Sequence, residues 1–156
     1  MSAAALSLSA GELAAIERAC AALIVRYAYL NDERRFDELA GLFTEDALLY
    51  RPSAPSQPIE GRAAILAALG KRPPETVTFH VTSDIQVEVE SATTARCRSR
   101  ILMMSATRAP DSGADRGGTP TEARAPVPGV FVDRLRLTAD GWRFASRRGA
   151  LWLPAD

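Results

Sequence analysis

The sequence predicts an α+β roll, with three N-terminal helices packed on a strongly curved antiparallel sheet. Three observations carry this. Apolar residues recur at three- and four-residue steps up to residue 70. From Thr76 onward the apolar period changes to two. Late in the chain, Asp140-Gly141 joins two alternating segments, a strong hairpin signal. Helices segregated from antiparallel strands define the α+β class, and a bent sheet covered on one face encloses a cone whose open end is a natural pocket.

The first helix is expected over about 10–30. Ser9-Ala-Gly-Glu12 has capping-box spacing, and Leu13, Ile16, Cys20, Leu23, Ile24 and Tyr27 form one apolar face. Tyr27 therefore points inward. Asn31-Asp32 breaks the pattern and can cap a second helix at about 33–43, with Phe36, Leu39, Ala40 and Phe43 facing in. Ala47–Tyr50 reads as a short strand. Residues 51–58, with three prolines and two serines, read as a loop. Gly61–Leu69 is a third helix, stopped by Gly70-Lys71-Arg72-Pro73-Pro74. Strands follow at Thr76–Glu90, Thr94–Thr107, Val130–Leu137 and Trp142–Trp152, with a long polar loop at 108–126 that suits a lid or a subunit contact.

Composition bounds the function. A chain of 156 residues, 47% hydrophobic and 24% charged, suits a single soluble domain spanning 1–156. Lys+Arg and Asp+Glu are both 19, which argues against nucleic acid or an anionic membrane as the main partner. Cys20 and Cys97 lie in apolar contexts and read as small buried hydrophobes in a reducing compartment. One histidine and no Cys-x-x-Cys motif argue against a metal site of usual type. The N-terminus has no basic n-region and no apolar run reaches spanning length, so a cytoplasmic location is expected.

His80 is the only histidine. Its side chain is the one whose unperturbed pKa lies near neutrality, so a single well-placed copy can move protons. Elsewhere a lone histidine is a surface or core residue, and a carboxylate able to orient it decides between the two. Asp32 on sequence alone reads as a helix N-cap, and Tyr27 as core. Tyr50 could simply cover the helix pair. Arg147-Arg148 must alternate on a strand, so at most one of them faces inward.

Four segments in order carry a resemblance. They are Tyr27 through Ala47, Ile59-Glu-Gly61-Arg62-Ala-Ala-Ile65, Phe79-His80-Val-Thr-Ser-Asp84, and Val132-Asp133-Arg134 leading to Asp140-Gly141-Trp142-Arg143-Phe144 and Arg147-Arg148. Together they resemble the SnoaL-like branch of the NTF2-like superfamily, whose fold is a cone-shaped roll. Within it the pattern is similar to scytalone dehydratase, bile-acid 7α-dehydratase and hexachlorocyclohexane dehydrochlorinase. Asp32 and His80, 48 residues apart, match the aspartate and histidine of that group. Tyr27 matches a pocket-lining position, Tyr50 resembles an active-site tyrosine, and Arg147 or Arg148 matches a late arginine, with Arg134 a weaker match. The second histidine of scytalone dehydratase has no counterpart; its position falls near Ser105.

The resemblance implies a cofactor-independent lyase, of dehydratase type, acting on a small apolar cyclic molecule. Asp32 would orient His80, which would abstract a proton from carbon. Tyr27 or Tyr50 would donate a hydrogen bond, and Arg147 or Arg148 would hold developing negative charge. Polyketide cyclisation or isomerisation uses the same kind of base. The superfamily also contains non-catalytic binding modules and assembly subunits. The resemblance further implies a homodimer or higher homo-oligomer through the outer sheet face, although Arg96, Arg98, Arg100, Arg134 and Arg136 make that face less apolar. A direct Asp32–His80 hydrogen bond beneath an open cavity favours the enzyme. A separation beyond about 4 Å, with the cone packed by Met103, Met104 and Phe131, favours the binding module.

Overall fold

The computed structural model describes residues 8–108 and 122–152. Its first element, α1, runs Ala10–Asp32. The capping box forms as the sequence predicts: Ser9 Oγ accepts from the Glu12 N–H at 3.3 Å, and Glu12 Oε2 accepts from the Ser9 N–H at 2.8 Å. Cys20, Leu23, Ile24 and Tyr27 are buried along one face. Cys20 and Cys97 are both buried free thiols.

The second helix, α2, is shorter than expected, only Phe36–Ala40. Arg34 between the two helices has φ +60°, a left-handed conformation that turns the chain sharply. Phe43 belongs to the first strand, β1, which runs Phe43–Arg51 and begins well before the expected Ala47. The stretch read as a loop at 51–58 is mostly a strand, β2, Ala54–Glu60. Proline fits there because β2 is an edge strand, paired on one side with β1 and, among the described residues, with no strand on the other. The third helix, α3 (Arg62–Gly70), follows Gly61 at φ +85°. The described residues therefore hold one long helix and two short ones, and α3 comes only after two strands.

The remaining strands are β3 (Thr76–Val89), β4 (Thr94–Thr107), β5 (Glu122–Ala123), β6 (Val127–Thr138) and β7 (Gly141–Leu151). β5 pairs with the end of β4, within the segment expected to be loop. Most of that segment, 109–121, lies outside the described residues, and with it the expectation of a lid.

The sheet order is β2-β1-β7-β6-β4-β3. It is mixed rather than antiparallel, because β1 and β7 run parallel. The long excursion through β3, β4 and β6 supplies the crossover that a parallel pair needs. Register shifts interrupt β3 between Ser83 and Gln86 and the β6–β7 pair between Arg134 and Leu135. Such bulges bend strands and curl the sheet. Ile24, Leu39, Phe43, Ile65, Leu135 and Phe144 fill the space between α1, the short helices and the sheet.

Candidate functional site

The site is built where the last turn of α1 lies alongside β3. β3 is the other edge strand of the sheet, so among the described residues one row of its backbone groups has no strand partner. Asp32, the final residue of α1, meets that row. Its Oδ2 accepts the His80 backbone N–H at 2.7 Å. Its Oδ1 accepts the Thr78 hydroxyl at 2.8 Å and lies 2.5 Å from His80 Nδ1. The expected N-cap role for Asp32 is thereby corrected. α1 continues through Asp32, and the N-cap of α2 is Arg35, which makes no side-chain cap bond.

Two arginines hold this junction. Arg34 donates to the carbonyls of Arg72 (2.8 Å), Pro73 (3.1 Å) and Thr76 (3.2 Å), fastening the approach to β3 beneath the end of α1. Arg72 donates from Nη1 to Thr78 Oγ1 at 3.2 Å and to the Asn31 carbonyl at 3.1 Å, and from Nη2 to Asn31 Oδ1. Both guanidinium groups stack on the Phe36 ring, at 5.0 and 5.2 Å. Burial, and then the adjacent Arg34 charge, hold Arg72 below its ordinary pKa. A continuous chain of hydrogen bonds thus runs Arg72–Thr78–Asp32–His80.

A carboxylate only accepts hydrogen bonds, so a neutral His80 carries its proton on Nδ1 and leaves the Nε2 lone pair available. The side chains of His80 and Asp32 are only 7% and 16% exposed. Both line a cavity of about 610 Å³ between α1 and the first half of β3. Val25, Ala28, Tyr29, Val77 and Phe79 give that cavity an apolar wall. Its size falls within the range of small-molecule sites.

The other residues singled out from the sequence lie elsewhere. Tyr27 is buried in an aromatic cluster, edge-on to Phe43, Phe131 and Phe144 at 5.8–6.1 Å. Arg147 is inserted into this cluster, 3.9 Å from the Tyr27 ring centroid and 3.8 Å from that of Phe131. Burial pushes the Tyr27 hydroxyl pKa up, with the Arg147 charge opposing. Arg148 points the other way, as strand alternation requires. It stacks on Tyr50 at 3.7 Å and donates to the Pro55 carbonyl at 2.6 Å. Tyr27, Tyr50, Arg147 and Arg148 are not among the residues lining the cavity that Asp32 and His80 share.

Beside Arg147 sits Asp133, which the sequence reading passed over. Arg147 Nε and Asp133 Oδ1 are 3.3 Å apart with almost no exposure, close enough for charge attraction but out of hydrogen-bond alignment. Burial pushes the Asp133 carboxyl up to about 6, with Arg147 opposing. Thr78 was also missed, although period-two alternation places it on the same face as His80. Arg72 carries no such signal, because it lies in a turn.

The α+β fold thus combines a curled mixed sheet, one long helix across it and a carboxylate–histidine pair in an apolar cavity. Residues 12–148 match the SnoaL-like domain, and the chain belongs to that family. A candidate scytalone dehydratase of Novosphingobium aromaticivorans superposes with a TM-score of 0.72 at 23% identity, over 93% of this chain and 89% of that one. A type 2 hexachlorocyclohexane dehydrochlorinase gives 0.74 at 16% identity, over 93% and 90%. An NTF2-like protein of N. aromaticivorans with a cystatin-like fold gives 0.70 at 23%, over 92% and 86%. At these identities the likeness establishes the fold. No functionally curated protein matches the chain.

Proposed function

We propose that the chain is a cofactor-independent lyase that eliminates water or halide from a small, largely apolar cyclic substrate. The observation that carries this reading is the Asp32–His80 contact at 2.5 Å in the wall of an apolar cavity. In the proposed step His80 Nε2 takes a proton from a substrate carbon. The C–H electron pair becomes the new double bond, and the leaving group departs from the neighbouring carbon with its bonding pair, as halide or as hydroxide that takes the proton from the His80 imidazolium to leave as water. Asp32 fixes the tautomer and stabilises the imidazolium as it forms, an arrangement typically worth about 10²–10⁴ in rate. Tyr27, Tyr50, Arg147 and Arg148 take no substrate contact in this reading, since none of them lines the cavity that Asp32 and His80 share.

Two of the three named neighbours suggest the first substrates to try, scytalone and a hexachlorocyclohexane, within a panel of cyclic β-hydroxy ketones and halides. Appearance of an unsaturated product with loss of water or halide supports elimination. A rearranged product of unchanged mass would instead point to isomerisation by the same base. Ligand binding without any product would support a binding module. Exposed apolar residues on β4 and β6 away from the cavity, Leu102 and Val132, support a homo-oligomer as part of the proposal.

A further inference from the structure

Among the described residues, the cavity wall carries one cation with no assigned task. Of the charged residues lining it, Asp32 is bound to His80, Glu33 pairs with Arg35 at 3.0 Å, and Arg34 is committed to three carbonyls. Arg108 remains. Its backbone is fixed by an N–H bond to the Glu75 carbonyl at 2.9 Å, and its side chain is half-buried. Its Nε is fully buried and has no hydrogen-bond partner within the described residues, where it also makes no ion pair. A buried guanidinium N–H left unmatched is unfavourable, and a planar oxyanion matches its paired donors.

We propose that Arg108 anchors a carboxylate of the substrate at the end of the cavity remote from the dyad. This rests on the reading of the cavity as the substrate site. Thr107 pairs with Thr76, so Arg108 emerges at the start of β3. His80 lies four residues further on, about 13 Å along an extended strand. The substrate then has two ends: an apolar ring whose C–H faces His80, and a carboxylate roughly that distance away. Tyr29 and Phe79 lie between as apolar wall. The uncharged ring end and charged tail also fix which way round the substrate enters.

The test uses a matched pair of probes, 6-phenylhexanoate and 6-phenylhexanamide, titrated calorimetrically into the purified chain. The acid is expected to bind at least about ten-fold more tightly, as one charge-assisted pair provides, and to lose that margin in high salt. Arg108→Gln should bring the two probes to equal affinity, and Arg108→Lys should keep part of the preference. Equal binding of acid and amide to the native chain overturns the carboxylate site and leaves the dyad reading standing. An undiminished preference in both Arg108 variants, with native folding by circular dichroism, overturns it as well. If neither probe binds, the cavity is not the substrate site and both readings fall together.

Discussion

Asp32 Oδ1 lies 2.5 Å from His80 Nδ1, although 48 residues separate them in the chain. The same carboxylate takes the His80 backbone N–H, so ring and backbone of one residue are held by one side chain. This double attachment fixes both the position of the imidazole and its tautomer. Because His80 is the only histidine, its ring nitrogens give an unambiguous nitrogen-15 NMR signature. The neutral ring is expected as the Nδ1–H tautomer in the native chain and as a mixture in Asp32→Asn. A native ring protonated mainly on Nε2 would contradict the proposed base.

Thr78 links Asp32 to Arg72, donating to one and accepting from the other. Thr78→Val keeps the shape and removes both bonds. The expected loss is about 1 kcal/mol of stability, with a fall in turnover smaller than that of Asp32→Asn. Thr78→Ser should restore both. A serine variant as impaired as the valine variant would show that the methyl group, and not the hydroxyl, matters there.

Arg34 combines a left-handed backbone with three carbonyl contacts. Arg34→Ala keeps the strain and loses the contacts, and should destabilise by about 2 kcal/mol. Arg34→Gly loses the same contacts but relieves the strain, so it should be the milder change by up to about 1 kcal/mol. Urea denaturation ranks the two; glycine ranking below alanine would refute the assignment of strain. Amide exchange should also quicken around residues 72–80 in both.

Asp133 introduces a pH dependence. Its folded carboxyl titrates at about 6 against an ordinary 3.8, so folding favours the protonated acid. A raised acid pKa contributes stability that is complete below about pH 4 and is lost as pH rises through about 6. Asp133→Asn imitates the protonated form and cannot ionise. Relative to that variant, the native chain should lose on the order of 3 kcal/mol between pH 4 and 7. A native-to-variant difference that does not change with pH would contradict the burial argument.

How far the sequence revealed this molecule depends on how local each feature is. α1, α3, β3 and β4 were legible because capping residues, a glycine stop and clean periodicities mark them within a few residues. β2 was not, since prolines that forbid a central strand are tolerated on an edge whose N–H groups face away from its partner. The parallel β1–β7 pair was invisible for another reason: it is set by closure of the whole sheet. Asp32 and His80 were singled out through the family pattern, and local reading alone misassigned Asp32 as a cap. Thr78 could have been read from its two-residue offset to His80. Arg72 and Arg108 could not, because their roles arise only when a turn and a strand end are folded against α1.

The central claim is that His80 removes a proton from carbon with Asp32 behind it. The measurement that tests it most directly is kcat/KM of native chain, Asp32→Asn and His80→Gln on whichever panel substrate the native chain turns over. Loss of about 10²–10⁴ in His80→Gln, with a substantial but smaller loss in Asp32→Asn, is the expected result. Turnover by His80→Gln at the native rate would contradict it.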